Sequence, residues 1–272
     1  MRKMLAIFLA AMLAVLCCSA AFAEETPRKG GELVVAMSFE PDTMNVYATH
    51  LMGDIQAMVV EGLLVPNGDM EYEPVLATEV PTVENGGIVM NDDGTMDITY
   101  HLVDNVYWHC GEKFTSHDVL VTWQALHDEA WDCESKDGVY DIDSIECPDD
   151  LTVVCHYNTV TPDFAQTLFT FGIMPAHDIE GADMNDPNNA YNSSPCGTGP
   201  YKFVEWNAGE NIKLTRNENY WREGAYMDGV TILFVPDENT RITMLKAGEI
   251  DFTAGISYIN YEQVKDLPGY NT

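Results

Sequence analysis

Hydrophobic and polar positions fall into short blocks whose period changes along the chain. Glu32–Met37 (ELVVAM) follows Gly30-Gly31 and is an almost unbroken apolar run, which reads as a buried strand stopped by Pro41 and Asp42. Across 51–64, Ile55, Met58 and Val59 recur at helical spacing and predict a helix that runs into Gly62 and a short extended piece. Residues 86–102 predict a hairpin, with Ile88–Met90 and 96–100 flanking the turn Asn91-Asp92-Asp93-Gly94.

Thr115 with Asp118 three residues on reads as a capping box, opening a helix to about 128 that buries Val119, Trp123 and Leu126. A second hairpin joins 142–147 to 151–157 through Pro148-Asp149-Asp150. A loop rich in Asn, Asp and Pro over 183–192 then divides the chain. Beyond it, 201–206, 212–215 and 230–235 predict strands, 239–247 a helix, and Asp251-Phe252 a last strand. Strands and helices mix without regular βαβ alternation, so the expected class is mixed α/β (α+β). There is no internal repeat and no low-complexity tract.

The first residues have their own pattern. Arg2 and Lys3 precede an apolar run from 4 to 16, and Ala21-Phe22-Ala23 stands before Glu24. That is a secretory signal over 1–23 with cleavage after Ala23. Cys17 and Cys18 raise a lipid-anchored alternative, but Leu16 rather than a small residue precedes the pair. Export makes disulfides possible. Past the signal stand Cys110, Cys133, Cys147, Cys155 and Cys196, an odd set that leaves at least one unpaired. Cys133 and Cys147 enclose a short loop containing Gly138 and are the expected pair, a closure worth about 3 kcal/mol in the chain-entropy picture.

Length and charge narrow the function. A chain of 272 residues that is 46% apolar can bury one large core or two small ones. With 13 Lys+Arg against 44 Asp+Glu, a net charge of −31 excludes nucleic acid and anionic lipid as partners. No G-x-S-x-G, H-E-x-x-H or phosphate loop is present. Gly197-Thr198-Gly199 runs into Pro200 and reads as a tight structural loop. His109, Cys110 and His117 are the one metal-type cluster along the sequence, with no C-x-x-C to complete it. They carry the enzyme alternative, a secreted metal-dependent hydrolase. The main reading expects no catalytic residue, no metal and no cofactor. Trp108, Trp123, Trp206 and Trp221 read as packing residues.

Seven segments in order resemble the bacterial extracellular solute-binding proteins of family 5, which include oligopeptide-, dipeptide- and nickel-binding proteins. They begin with Lys29-Gly30-Gly31-Glu32-Leu33-Val34-Val35, Glu61-Gly62-Leu63-Leu64 and the stretch from Trp108-His109-Cys110-Gly111-Glu112-Lys113-Phe114 to Val119. Pro148-Asp149-Asp150-Leu151-Thr152-Val153-Val154 and Gly197-Thr198-Gly199-Pro200-Tyr201-Lys202-Phe203 follow. Arg216-Asn217-Glu218-Asn219-Tyr220-Trp221 and Leu245-Lys246-Ala247-Gly248-Glu249-Ile250-Asp251-Phe252 complete the set. The pattern departs at Cys110, where Asp is usual, at Val103, often basic, and at Cys196, usually aliphatic.

The resemblance implies a non-enzymatic, periplasmic or envelope-exterior protein, monomeric, that captures peptides or peptide-like solutes for the permease subunits of an ABC importer. It implies a first lobe over 24–272 of the periplasmic-binding-protein type. A small subdomain is inserted at about 60–180, a hinge lies at about 253–272, and the second lobe is missing. An inert truncated fragment is the remaining alternative. By order along the chain, the ligand wall is expected at Ser38, Phe39 and Glu40, with Tyr258 and Ile259 at the hinge. Against that stands a plainer reading of two of them, with Phe39 capping the core and Glu40 solvated.

Overall fold

Pleating sends successive residues of the first strand, Glu32–Met37, to opposite faces. Leu33, Val35 and Met37 pack into one apolar cluster, and Val34 and Ala36 into another. Cover on both sides explains why this run shows no alternation. The computed structural model describes residues 28–49, 53–166 and 170–270. The signal expected over 1–23, with Cys17 and Cys18, lies outside them.

In chain order the elements are β1 (Glu32–Met37), β2 (Leu64–Pro66), β3 (Tyr72–Pro74), β4 (Ile88–Met90), β5 (Met96–His101) and α1 (Ser116–His127). There follow β6 (Ile142–Asp149), β7 (Thr152–Tyr157), α2 (Ala176–Ile179), α3 (Ala190–Ser193), β8 (Tyr201–Asn207) and β9 (Asn211–Arg216). The last are β10 (Gly229–Phe234), α4 (Glu238–Ala247), β11 (Phe252–Thr253) and α5 (Tyr258–Tyr261). The fold is mixed α/β. One sheet has the order β11-β1-β10-β9-β8, another the order β4-β5-β7-β6, and β2 with β3 forms a two-stranded ribbon.

In the five-stranded sheet β1 runs parallel to both β10 and β11, while β9 and β8 continue antiparallel. One face packs on Met44, Ile55, Val59 and Val60, which meet Ile212, Leu214, Val230 and Ile232. The other face receives α4 through Ile242 and Leu245. Asp237 caps α4 by accepting from the Thr240 N–H at 2.7 Å, and Gly248, at φ 71°, ends it in the left-handed conformation.

The four-stranded sheet alternates as a half-covered antiparallel sheet should. Ile98, Tyr100, Val153, Cys155 and Tyr157 point inward, against Val119 and Leu126 of α1. The capping box forms. The Thr115 N–H donates to Asp118 Oδ2 at 2.8 Å, and the other carboxylate oxygen accepts from the Ala176 N–H at 2.8 Å. The cap therefore also anchors the start of α2. Trp123 is part-buried and donates its Nε1–H to Val139 O at 3.3 Å.

Two expectations are corrected. The helix over 51–64 is, where described, only a 3-10 turn at Gln56–Met58. The chain cannot continue helically because the Val59 carbonyl is taken by the Gly199 N–H at 2.9 Å, and residues from Leu63 onward pair with the β3 segment. The Cys133–Cys147 bridge is not formed, and both thiols are free. Cys133 Sγ donates to Ser135 O at 3.5 Å and Cys147 Sγ to Ser116 O at 3.3 Å, so each thiol is turned to its own neighbourhood. Partial burial pushes both thiols above their usual range.

Candidate functional site

Ligands of open α/β sheets bind beyond the carboxyl ends of the parallel strands. Here β1, β10 and β11 end together, and the segments that leave them are Ser38–Phe39–Glu40, Val235–Pro236–Asp237 and the residues up to α5. Arg241, on the first turns of α4, ties two of these exits together. It is 2% exposed and donates Nη1–H to Val235 O at 2.8 Å and Pro236 O at 2.9 Å, with Nη2 at 3.5 Å from Gly255 O. Glu238 accepts the Ser257 N–H at 2.6 Å, which docks the start of α5. The bonds from Thr240 hold the Asp237 carboxyl below the usual carboxylate range, and the Ser257 N–H does the same for Glu238.

The five expected wall residues divide on this face. Ser38 is exposed, and Phe39 is half-buried against the sheet cluster. Glu40 is engaged rather than solvated. Its carboxylate accepts the Trp206 Nε1–H at 2.7 Å and the Gly209 N–H at 3.0 and 3.1 Å, which fixes the β8–β9 turn. Tyr258 and Ile259 on α5 are 92% and 87% exposed. Phe252 and Tyr261 are also exposed, and beside them Leu245, Ile256, Val264 and Tyr270 line an apolar pocket of about 310 Å³.

A second constellation lies elsewhere, and it is polar and satisfied. The Glu61 side chain, 8% exposed, accepts from Tyr220 Oη at 2.5 Å, Thr198 Oγ1 at 3.0 Å, Trp221 Nε1 at 3.2 Å and Arg222 Nη2 at 3.3 Å. His109 accepts from the Gly197 N–H at Nδ1, at 3.2 Å, so the proton sits on Nε2, which donates to Gly199 O at 3.0 Å. Burial, with help from the Lys202 charge, lowers the His109 pKa from 6.5 to about 4. Gly197 and Gly199 must be glycine, since a Cβ would lie 1.8 Å and 2.7 Å from the Val59 carbonyl oxygen. Tyr107, Trp108, Lys202, Asn219 and Trp221 border a hollow of about 570 Å³ here.

The metal-type cluster read along the sequence does not assemble. His109 is bound to the glycine loop, and His117 pairs instead with Glu180 at 3.3 Å. Cys110 meets neither of them.

Residues 71–272 match the family described as bacterial extracellular solute-binding proteins, family 5 middle. The chain belongs to this family. It is 28% identical over 231 residues to the oligopeptide-binding protein AppA of Bacillus subtilis, spanning 83% of this chain and 41% of that protein. The AppA structure in complex with a nonapeptide superposes with a TM-score of 0.78 at 26% identity, over 89% of this chain and 47% of that one. The Helicobacter pylori binding protein DppA, in complex with the peptide STSA, gives a TM-score of 0.74 at 28% identity over 89% and 50%. The chain thus spans about two-fifths to half the length of these relatives. They are described as binding proteins rather than enzymes.

The Glu61 constellation joins four of the segments that carry the family resemblance. Glu61-Gly62-Leu63-Leu64, the His109 loop, the Gly197 loop and the Tyr220-Trp221 segment are far apart in sequence and knot into one structure. Sequence reasoning missed Arg241, Glu238 and the role of Glu61. A signal for Arg241 was present. In a chain so poor in cations, it sits beside Ile242 and four residues before Leu245, on the stripe that α4 buries.

Proposed function

We propose that this chain is the first lobe of an extracellular solute-binding component of an ABC importer, and that its ligand wall is the carboxyl end of the parallel strands. The observation that carries this reading is the tying of two of the strand exits by Arg241 and Glu238, while Ser38, Tyr258 and Ile259, on the segments that leave the parallel strands, stay exposed. An extended peptide is the fitting ligand class. It offers main-chain groups to strand-end backbone and side chains to apolar surface, and the two relatives described above were solved with peptides.

In this reading the protein is exported by a signal removed after Ala23, acts as a monomer and delivers its solute to membrane permease subunits. Residues at about 60–180 form an inserted subdomain, and those from about 253 lead toward a second lobe. Enclosure between lobes buries most of a ligand's surface, so one lobe leaves much of each contact unmade. Calorimetry with a mixed peptide library is the test. Residues 24–272 alone should bind weakly or not at all and hydrolyse nothing, and the same residues joined to a second lobe should bind tightly. Tight binding by 24–272 alone would contradict the reading, as would peptide hydrolysis by either form.

A further inference from the structure

We propose that Cys110, Cys196 and His177 form a binding site for a thiophilic divalent cation, zinc being the best match, on the surface of this lobe and separate from the ligand wall. One donor atom from each of the three lies within 4.8 Å of the others, and Cys110 Sγ is 3.2 Å from His177 Nε2. In four-coordinate zinc sites the metal sits about 2.3 Å from sulfur and about 2.0 Å from nitrogen, which leaves neighbouring donors roughly 3.5–3.8 Å apart. The three side chains therefore already stand close to the spacing the ion requires.

The surroundings of His177 favour a ligand. Its Nδ1 faces Glu112 Oε2 at 3.3 Å. A carboxylate on one ring nitrogen fixes the proton there and turns the lone pair of the other nitrogen toward the metal position. Here that other nitrogen is the one beside Cys110. The edge of Trp108, with ring centres 6.2 Å apart and planes at 78°, sets the imidazole orientation.

The backbone holds the remaining donors in place. Cys110 sits in the turn between Tyr107 and Lys113, which pair across it. Cys196 enters the loop whose next residue exchanges hydrogen bonds with His109, from His109 N to Gly197 O at 2.8 Å and from Gly197 N to His109 Nδ1 at 3.2 Å. Cys110 is exposed, so an ion has an entry path and an open fourth position. Asp178, whose Oδ1 is 3.8 Å from His177 Nε2, or a water fills it. On binding, both thiols release their protons to solvent and coordinate as thiolates beside the neutral imidazole. The site clips together three stretches that are distant in sequence: the Cys110 turn, α2 and the Cys196 loop.

The test is anaerobic titration of the reduced, metal-free mature chain with cobalt(II), whose spectrum reports thiolate ligation directly. One equivalent should produce thiolate-to-cobalt charge transfer and the visible bands of a tetrahedral site, and zinc should abolish both. Cys110→Ser, Cys196→Ser and His177→Ala should each remove them, while Cys133→Ser leaves them unchanged. Glu112→Gln should lower affinity by about 10- to 100-fold, as expected for the partner of a ligating histidine. Absent bands, or bands that persist in the three ligand variants, would overturn the proposal. So would a Cys110–Cys196 disulfide in the isolated protein whose reduced form takes up no cobalt.

Discussion

The Glu61 knot and the open face at α5 stand in contrast within one chain. Around Glu61, donors from two separate segments converge on one carboxylate, and His109 is satisfied at both ring nitrogens. At the open face, Tyr258 and Ile259 present apolar surface with almost nothing over it. Buried polar groups must find partners within the fold, so a network like the knot tolerates few substitutions and leaves a recognisable sequence. An exposed apolar face is built to meet something else, and clustered exposed apolar side chains mark such interaction sites. The contrast teaches that the matching motifs gathered in the knot report how the chain is held together, while Ser38, Tyr258 and Ile259, the exposed residues proposed to touch ligand, lie outside them.

Breaking the knot should produce the largest effect. Glu61→Ala removes the shared acceptor of Thr198, Tyr220, Trp221 and Arg222. Leaving such groups unpaired costs about 3 kcal/mol, which for a lobe of this size lowers the melting temperature by roughly 6–12 °C. Calorimetric melting checks this, and a shift below about 2 °C would mean that solvent replaces the carboxylate without loss.

The next effect depends on pH. His109 titrates near 6.5 in the unfolded chain and at about 4 in the folded one. Its contribution is fully present above about pH 6.5 and is lost as the pH falls toward 4, because the unfolded chain takes up the proton first. The loss is on the order of 2–3 kcal/mol. His109→Gln, which cannot titrate, should show a shallower fall in melting temperature between pH 6.5 and 4. Parallel curves for the two proteins would remove His109 from the account.

The smallest effect belongs to the open face. Tyr258→Ser with Ile259→Ser changes side chains that are 92% and 87% exposed. Stability should move by less than about 0.5 kcal/mol, as at ordinary surface sites, while peptide binding in the two-lobe protein should fall. A large loss of stability would show that α5 packs within the lobe and is not a docking face.

Local pattern accounted for much of the fold. The apolar run of β1, the Asn91–Gly94 turn and the Thr115 capping box are decided by neighbours in sequence, and all three form. The 51–64 helix failed because a distant residue, Gly199, claims the Val59 carbonyl. The Cys133–Cys147 pairing failed for a related reason, since loop length states which thiols can meet and not which way each is turned. Glu40 looked open from its place after β1, but Trp206 and Gly209 come from a hairpin that sequence order puts far away. Cys110 was legible as a metal-type residue, whereas its neighbours Cys196 and His177 emerge only from the folded chain.

The central claim is that ligand meets the carboxyl end of the parallel strands and not the hollow beside the Glu61 knot. Photo-crosslinking answers this even where binding is weak. Short peptides carrying a photoreactive side chain are irradiated with the protein, and the labelled residues are read by mass spectrometry. The account predicts labels at Ser38, Phe39, Tyr258 and Ile259, competed away by unlabelled peptide. Competable labels confined to Tyr107, Trp108 and Trp221, or to the four-stranded sheet, would contradict it.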